Sequence, residues 1–368
     1  MLVGFIGAIP SPVLDDSRYY SPAGKNVQRE IIENIEAYHG SVLNAFLTPV
    51  PSWPRGPLWV WNTKFEKASW LAFLNFPFLK QLSFSLSLLV WLFIYRPKLI
   101  YMYNAKFFCV LSLLLYRFIG ADVKLVIFIQ DILPCTGWDF RNLIDYFSIY
   151  MTKRFDVLLP ISEFIAKDFG FDPKKTIIVQ GGVNKKIVKN KDFIKMQDSV
   201  VFCGKLERYN GLDKLIHKWK DYEGTFRLYI YGDGTLRRWA EDFIIKNKNY
   251  SIEFHGRVSS STAREIVNNS RLVFVLRYSI GINAKYFFPS KFLEAMTSNS
   301  VIACNEFPGL PSKLRKFCII LKDDLSDINS KLSSENIGKY ELMINERKEA
   351  VLEMFSWDSH FKKITSLL

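Results

Sequence analysis

The sequence predicts an α/β protein of two domains, each a parallel sheet with helices packed on both faces. Three observations predict it. The chain has 368 residues, enough for two domains at roughly 100–200 residues each. Short β-branched or aromatic runs alternate along it with amphipathic helical patterns, the mark of parallel sheets buried on both sides. A polar, Lys-rich stretch at 184–198 interrupts the alternation near the middle and reads as a linker.

In the first series the strand signals are 2–9, 42–47, 99–103, 125–129, 157–160 and 176–179. Helical patterns lie between them at 25–38, 81–95 and 105–119. The second series has strands at 199–203, 226–231, 251–255, 272–276, 301–304 and 318–321, with helices at 211–219, 235–246, 260–268 and 289–298. Two such blocks make two Rossmann-like domains, 1–190 and 191–355, with a cleft between them, and 356–368 forms a terminal helix. No short internal repeat or low-complexity tract appears.

Composition narrows the class. Hydrophobic residues are 49% and charged residues 23% of the chain, which excludes a disordered, collagen-like or disulfide-stapled protein. Cys109, Cys135, Cys203, Cys304 and Cys318 lie far apart without CxxC or Cys/His ligand spacing, and four of them sit in apolar runs, as small core residues do, which fits a reducing compartment. The start MLVGFIGAIP lacks a basic segment before its apolar run, so no secretory leader is expected. The uncharged, apolar stretch 81–95 is bounded by Lys80 and Arg96 and falls short of the about 20 residues that cross a bilayer.

Two features are unusual, a formal net charge of +13 and 15% aromatic residues. A surplus of that size points to an anionic partner: nucleic acid, membrane phosphates or a phosphorylated substrate. Between Val50 and Gln130 the bases are Arg55, Lys64, Lys67, Lys80, Arg96, Lys98, Lys106, Arg117 and Lys124, against Glu66 and Asp122 alone. Trp53, Trp59, Trp61, Trp70 and Trp91 share that stretch. Cations interleaved with amphipathic rings suit an anionic membrane surface. They also suit stacking on single-stranded nucleic acid, or the tryptophans are core and the lysines merely solvated.

Ligands of open α/β sheets bind beyond the carboxyl ends of the strands, so residues following each strand carry the information. After 199–203 come Gly204, Lys205 and Arg208, where a phosphate could accept backbone N–H groups and meet two cations. After 226–231 come Gly232 and Gly234, which permit a tight turn and close ligand approach. After 272–276, Pro289 opens a helix whose Ser290, Lys291 and Phe292 N–H groups would face a diphosphate. One turn on, Glu294 is placed to accept both hydroxyls of a ribose. Each element taken singly is also ordinary βα turn chemistry.

In this order the elements resemble the group-1 (family 4-like) glycosyltransferases of the GT-B fold. The blocks VVFCGKLERYNGLDKLI, LYIYGDGTLRRWAE, IEFHGRV and FPSKFLEAMTSNSVIAC carry the resemblance, the last being similar to the family's Pro-Ser-Lys variant of its Glu-containing helix. LLPISEFIAKDFGFDPKKTIIVQGGVN is similar to the family's last first-domain segment. FSWDSHFKKITSLL resembles the terminal helix that crosses back onto the first domain.

The resemblance implies a glycosyltransferase that moves a sugar from a nucleotide-sugar donor, with retention, without a metal and without a cofactor. Lys205 matches the basic residue at the donor diphosphate, Glu294 the ribose ligand, and Arg257 lies in the donor block IEFHGRV. Three positions depart from the pattern. The second cation, a lysine, falls on Asn210, with Arg208 as a substitute nearby. The earlier glutamate falls on Tyr286. The His-Asp pair at a first-domain strand end is Gln130-Asp131, leaving Gln130 and Asp131 as the candidates at the reaction centre. On the acceptor side Gly24 and Lys25 follow the first strand, where the family has a glycine-rich loop. The expected acceptor is a saccharide, polyprenyl-diphosphate-linked, in cell-surface polysaccharide or glycolipid synthesis. The 50–130 region would then dock at the inner, cytoplasmic face of the membrane, and no nucleic acid partner is expected. The departures keep a rival in play, a non-catalytic subunit of this fold that stabilises a partner transferase. Weaker rivals are a sugar-nucleotide epimerase and a nucleic-acid glucosyltransferase.

Overall fold

A computed structural model of the chain describes residues 1–14, 20, 22–77, 79–130, 140–184, 196–247 and 250–368. It divides into two compact units, Met1–Gln180 with Trp357–Leu368, and Gly181–Ser356. The break falls at Gln180, ahead of the expected 190, which lies outside the described residues together with most of the expected linker. Residues 181–184 go with the second unit because Val183 bridges Ser356 and its N–H bonds Phe355 O at 2.8 Å.

The first unit runs β1 (Val3–Gly7), α1 (Pro22–His39), β2 (Val42–Phe46), β3 (Trp59–Val60), β4 (Thr63–Phe65), β5 (Ala68–Trp70), β6 (Phe73–Leu74), α2 (Leu79–Tyr95), β7 (Leu99–Tyr103), α3 (Phe107–Phe118), β8 (Lys124–Ile129), α4 (Phe140–Met151), β9 (Val157–Pro160) and α5 (Glu163–Asp168). Its main sheet has the order β4-β5-β2-β1-β7-β8-β9, parallel throughout except for β4. β3 and β6 form a separate antiparallel pair. The central strands are buried along nearly their whole length, which is why they read as apolar runs rather than alternating patterns. The expected strand at 176–179 makes a single bridge, Thr176 to Leu158, although Ile177 and Val179 still donate to Leu158 O and Pro160 O.

The second unit runs β10 (Met196–Lys205), α6 (Leu212–Trp219), β11 (Arg227–Asp233), α7 (Arg237–Lys246), β12 (Ile252–Gly256), α8 (Ser260–Asn269), β13 (Ser270–Phe274), α9 (Ser290–Met296), β14 (Val301–Asn305), α10 (Ser312–Arg315), β15 (Cys318–Leu321), α11 (Ile328–Lys331), α12 (Ser334–Glu341) and α13 (Ile344–Phe355). Its sheet is parallel, in the order β12-β11-β10-β13-β14-β15. Counted from β10, that is the order 3-2-1-4-5-6, whose direction reverses between the first and fourth strands and opens a crevice there. Leaving out β4, the first unit repeats the order with β1 and β7 at the reversal. On α6, Leu212, Leu215, Ile216 and Trp219 are buried at helical spacing in the core, each contributing about 2 kcal/mol.

The last helix, α14 (Trp357–Thr365), belongs to the first unit. Trp357, Phe361 and Ile364 lie in that unit's core, and Tyr38 Oη donates to Asp358 Oδ1 at 2.6 Å.

Candidate functional site

In the second unit the carboxyl ends of β10, β11 and β13 and the start of α9 carry the expected residues. Gly204 and Lys205 close β10 itself, followed by a 3-10 turn, Arg208–Asn210. A Cβ on Gly204 would meet no atom within 4 Å, so the surface above this strand end is open. Lys205 is exposed and lies 3.7 Å from Glu207, whose carboxylate accepts from Thr235 Oγ1 at 2.6 Å. Arg208 and Arg257 are exposed and make no ion pair among the described residues.

Gly232 and Gly234 are needed where two backbones meet. A Cβ on Gly232 (φ 147°) would lie 1.8 Å from Gly204 O, and one on Gly234 (φ 158°) 2.5 Å from Leu206 O. The two glycines therefore let the β10 loop pack backbone against backbone on the β11 end. Leu206 N donates to Asp233 O and Leu236 N to Leu206 O across that contact.

At α9 the helix begins at Ser290, and Pro289 is the residue before it. Phe292, Leu293, Ala295 and Met296 are buried and fix the helix, leaving Ser290, Lys291 and Glu294 facing out. Lys291 Nζ and Glu294 Oε2 pair at 2.6 Å, so two side chains expected to bind separate parts of a donor hold each other. The Cys203 thiol on β10 is pushed up by burial and feels both charges, Lys291 drawing it down and Glu294 raising it. The start of α9 thus stands beside the end of β10. Tyr286 occupies a 3-10 turn, with Lys285 Nζ 4.8 Å from its ring centroid.

Sequence reasoning missed Arg277 and Arg347. Arg277 follows β13; its Nη1 donates to Asn210 Oδ1 at 3.0 Å and its guanidinium lies 5.1 Å from the Tyr209 ring centroid. It thus brings a cation to the position where the resemblance calls for a lysine. Arg347 on α13 is buried and donates to Met296 O, Ser298 O and Ser300 O at 3.0, 2.5 and 2.7 Å, closing the carboxyl end of α9. Burial lowers its guanidinium to about 10.

In the first unit, Gln130 is buried at the end of β8. Its N–H bonds Asn104 Oδ1 at 2.8 Å and its Nε2 donates to Val179 O at 3.2 Å, so the side chain braces this strand end. Asp131 lies outside the described residues. Gly24 and Lys25 sit in the first turn of α1 rather than in a loop. Gly24 O accepts from Gln28 Nε2, and Lys25 Nζ donates to Tyr20 Oη at 3.3 Å. Gln28, also missed, clasps Ala8 N and Ala8 O at the end of β1.

The basic, aromatic stretch divides. Trp70 and Trp91 are core residues, whereas Trp53, Trp59 and Trp61 are exposed. On α2, Leu79, Leu82, Leu86, Val90 and Phe93 form an exposed apolar stripe. α3 packs between α2 and α4 and adds exposed Leu115 and Phe118, while α4 adds Leu143, Phe147 and Tyr150. Among the described residues, no helix is long and apolar enough to cross a membrane.

Two Rossmann-type units, with the terminal helix belonging to the first, make the GT-B fold, and the chain is a glycosyltransferase. Residues 197–331 match the family described as glycosyl transferases group 1, so the second unit is a group 1 domain. An uncharacterized glycosyltransferase of Methanocaldococcus jannaschii, MJ1178, is 27% identical over 251 residues, spanning 65% of this chain and 68% of that one. Among solved structures, Anabaena HepE in complex with UDP superposes with a TM-score of 0.70 at 15% identity, over 100% of this chain and 99% of that one. The lipopolysaccharide outer core galactosyltransferase WaaB, in its apo form, gives 0.67 at 15% identity over the full length of both chains.

Proposed function

We propose that the protein transfers a sugar from a nucleotide-sugar donor to a polyprenyl-diphosphate-linked saccharide at the inner face of the cell membrane, with retention, in cell-surface polysaccharide or glycolipid synthesis. The observation that carries the donor half is the meeting of the β10 end with the start of α9. There the open surface of Gly204 stands beside Lys205, and the neighbouring Cys203 feels the charges of Lys291 and Glu294. The UDP held by the structural neighbour HepE supports the same half. In this reading the cations stabilise negative charge as it builds on the leaving diphosphate, the largest service a protein offers such a transfer. The anomeric carbon–phosphate oxygen bond breaks and a bond to the acceptor oxygen forms. The acceptor's proton passes to the departing phosphate oxygen, so the protein's other task is positioning. Glu294 takes the ribose hydroxyls, which requires it to leave Lys291.

The acceptor half rests on the exposed stripe of α2 with Trp53, Trp59 and Trp61, flanked by Lys64, Lys67, Arg96 and Lys98. Apolar side chains set among cations fit an anionic bilayer surface. A thermal-shift panel of UDP-, GDP- and dTDP-sugars tests the donor half, because the true donor stabilises by mass action. One nucleotide class is expected to raise Tm, and Glu294→Ala to abolish the shift. A shift that survives in Glu294→Ala overturns the ribose assignment. No shift and no nucleotide release from any donor favours the non-catalytic subunit.

A further inference from the structure

The reversal of strand order in the second unit lies between β10 and β13, and Arg277 is three residues beyond the end of β13. Its backbone is fixed. Asn305 Oδ1 accepts from Arg277 N at 2.8 Å, and Asn305 Nδ2 donates to Arg277 O at 2.9 Å and to Asp323 Oδ1 at 2.9 Å. Tyr278 N donates to Tyr209 O at 2.8 Å, so the segment after β13 is tied directly to the turn after β10.

The side chain is half-buried, yet among the described residues no carboxylate lies within ion-pair distance of it. Its contacts are neutral: Asn210 Oδ1 and the Tyr209 ring. Its Nε is buried without a hydrogen-bond partner. A desolvated guanidinium without a counter-charge is costly, and burial draws its pKa below the ordinary arginine value. Asn210 in turn donates to Lys205 O at 2.7 Å, so Arg277, Asn210 and Lys205 form one hydrogen-bonded chain across the crevice.

We infer that Arg277 is a binding residue for the diphosphate of the nucleotide donor, supplying from β13 a forked cation that complements Lys205 and Arg208 of the β10 turn. This rests on the donor reading above and adds to it the residue that counts phosphates. A planar fork suits bidentate phosphate oxygens, whereas a lysine acts as a point charge. The rival role is a brace that merely shapes the 205–210 turn through Asn210 and Tyr209.

Titration calorimetry on the full chain separates the two, with UDP, GDP and dTDP, then the monophosphate and nucleoside of whichever base binds. Arg277→Gln, which keeps a donor for Asn210 but no charge, is expected to weaken the diphosphate about 10- to 100-fold. The monophosphate should lose less and the nucleoside nothing. Arg277→Lys should recover part of the loss, and both variants should keep the wild-type Tm. Unchanged diphosphate affinity in Arg277→Gln overturns the assignment alone, as does an equal loss for diphosphate, monophosphate and nucleoside, the mark of a brace. Wild-type protein that binds none of the three diphosphates overturns the donor reading and the assignment with it.

Discussion

The two units share a strand order and differ in what they place around it. In the second, the crevice between β10 and β13 is edged by Lys205, Arg208 and Arg277, and among the described residues only Ile245, Ile280 and Leu342 are large apolar side chains left exposed. In the first, strand ends are closed by neutral amides, Gln28 on Ala8 and Gln130 on Asn104 and Val179. Its apolar side chains instead spill outward along α2, α3 and α4. One topology thus serves two surfaces: charge concentrated at strand ends in one unit, and apolar area on a helical layer in the other. In the proposed function, charge at a strand end acts on a small anion within a few ångströms, and the helical layer offers area to a bilayer.

The largest expected effect tests the strand ends. Gly232→Ala forces a Cβ to 1.8 Å from Gly204 O at a backbone angle that side chains rarely adopt. It should cost about 3–5 kcal/mol, read as a fall in the denaturation midpoint. Gly204→Ala is the paired control, because its Cβ meets nothing within 4 Å. Stability should change by less than about 1 kcal/mol, while nucleotide diphosphate binding is lost because the methyl occupies the surface that a phosphate must approach. If Gly204→Ala binds nucleotide as wild type does, the open surface above β10 is not the phosphate site.

How much of this the sequence carries depends on whether the signal is local. Parallel strands such as β7 and β8 are legible because burial on both faces leaves an unbroken apolar run. α6 is legible because Leu212, Leu215, Ile216 and Trp219 repeat at helical spacing. The strands β3 to β6 are two or three residues long, too short for any period to show. Among the tryptophans nothing in composition separates Trp70 and Trp91, which fill the core, from Trp59 and Trp61, which face out. Lys291 and Glu294 are legible as donor-facing residues one turn apart, but their i,i+3 spacing also lets them bind each other. Arg277 is the least legible, because its partner Asn210 lies 67 positions away in the chain. Arg347 shares that fate, since the carbonyls it holds belong to a different helix end.

The next effect tests the helical layer. Leu86 and Phe93 are 58% and 45% exposed on the outer stripe of α2, so replacing both with Gln should leave stability within about 0.5 kcal/mol. Binding to vesicles of mixed phosphatidylglycerol and phosphatidylcholine should weaken about tenfold or more in flotation. Added salt should weaken wild-type binding further through the cations and leave the apolar share in place. Equal flotation of the double variant and wild type would remove the helical layer from the membrane reading. Wild-type protein that ignores anionic vesicles at low salt would remove the membrane reading itself.

The smallest effect distinguishes the units by pH. His39 ends α1 and its Nε2 lies 2.9 Å from Tyr101 Oη on the buried strand β7. Burial, and then the positive charge of the amino terminus, holds its imidazole below the usual 6.5. The folded chain therefore favours the neutral ring, while the unfolded chain takes up a proton once pH falls to about 6.5. The stability contributed by a neutral His39 is complete above that value and drains away as pH drops toward the lower folded value. Wild-type Tm should decline between about pH 7 and about pH 5 more steeply than that of His39→Gln, which keeps a hydrogen-bonding group for Tyr101 but cannot titrate. The loss belongs to the first unit, because His39 packs against β7. Parallel Tm profiles in the two proteins would mean that acid acts on the chain through some other group.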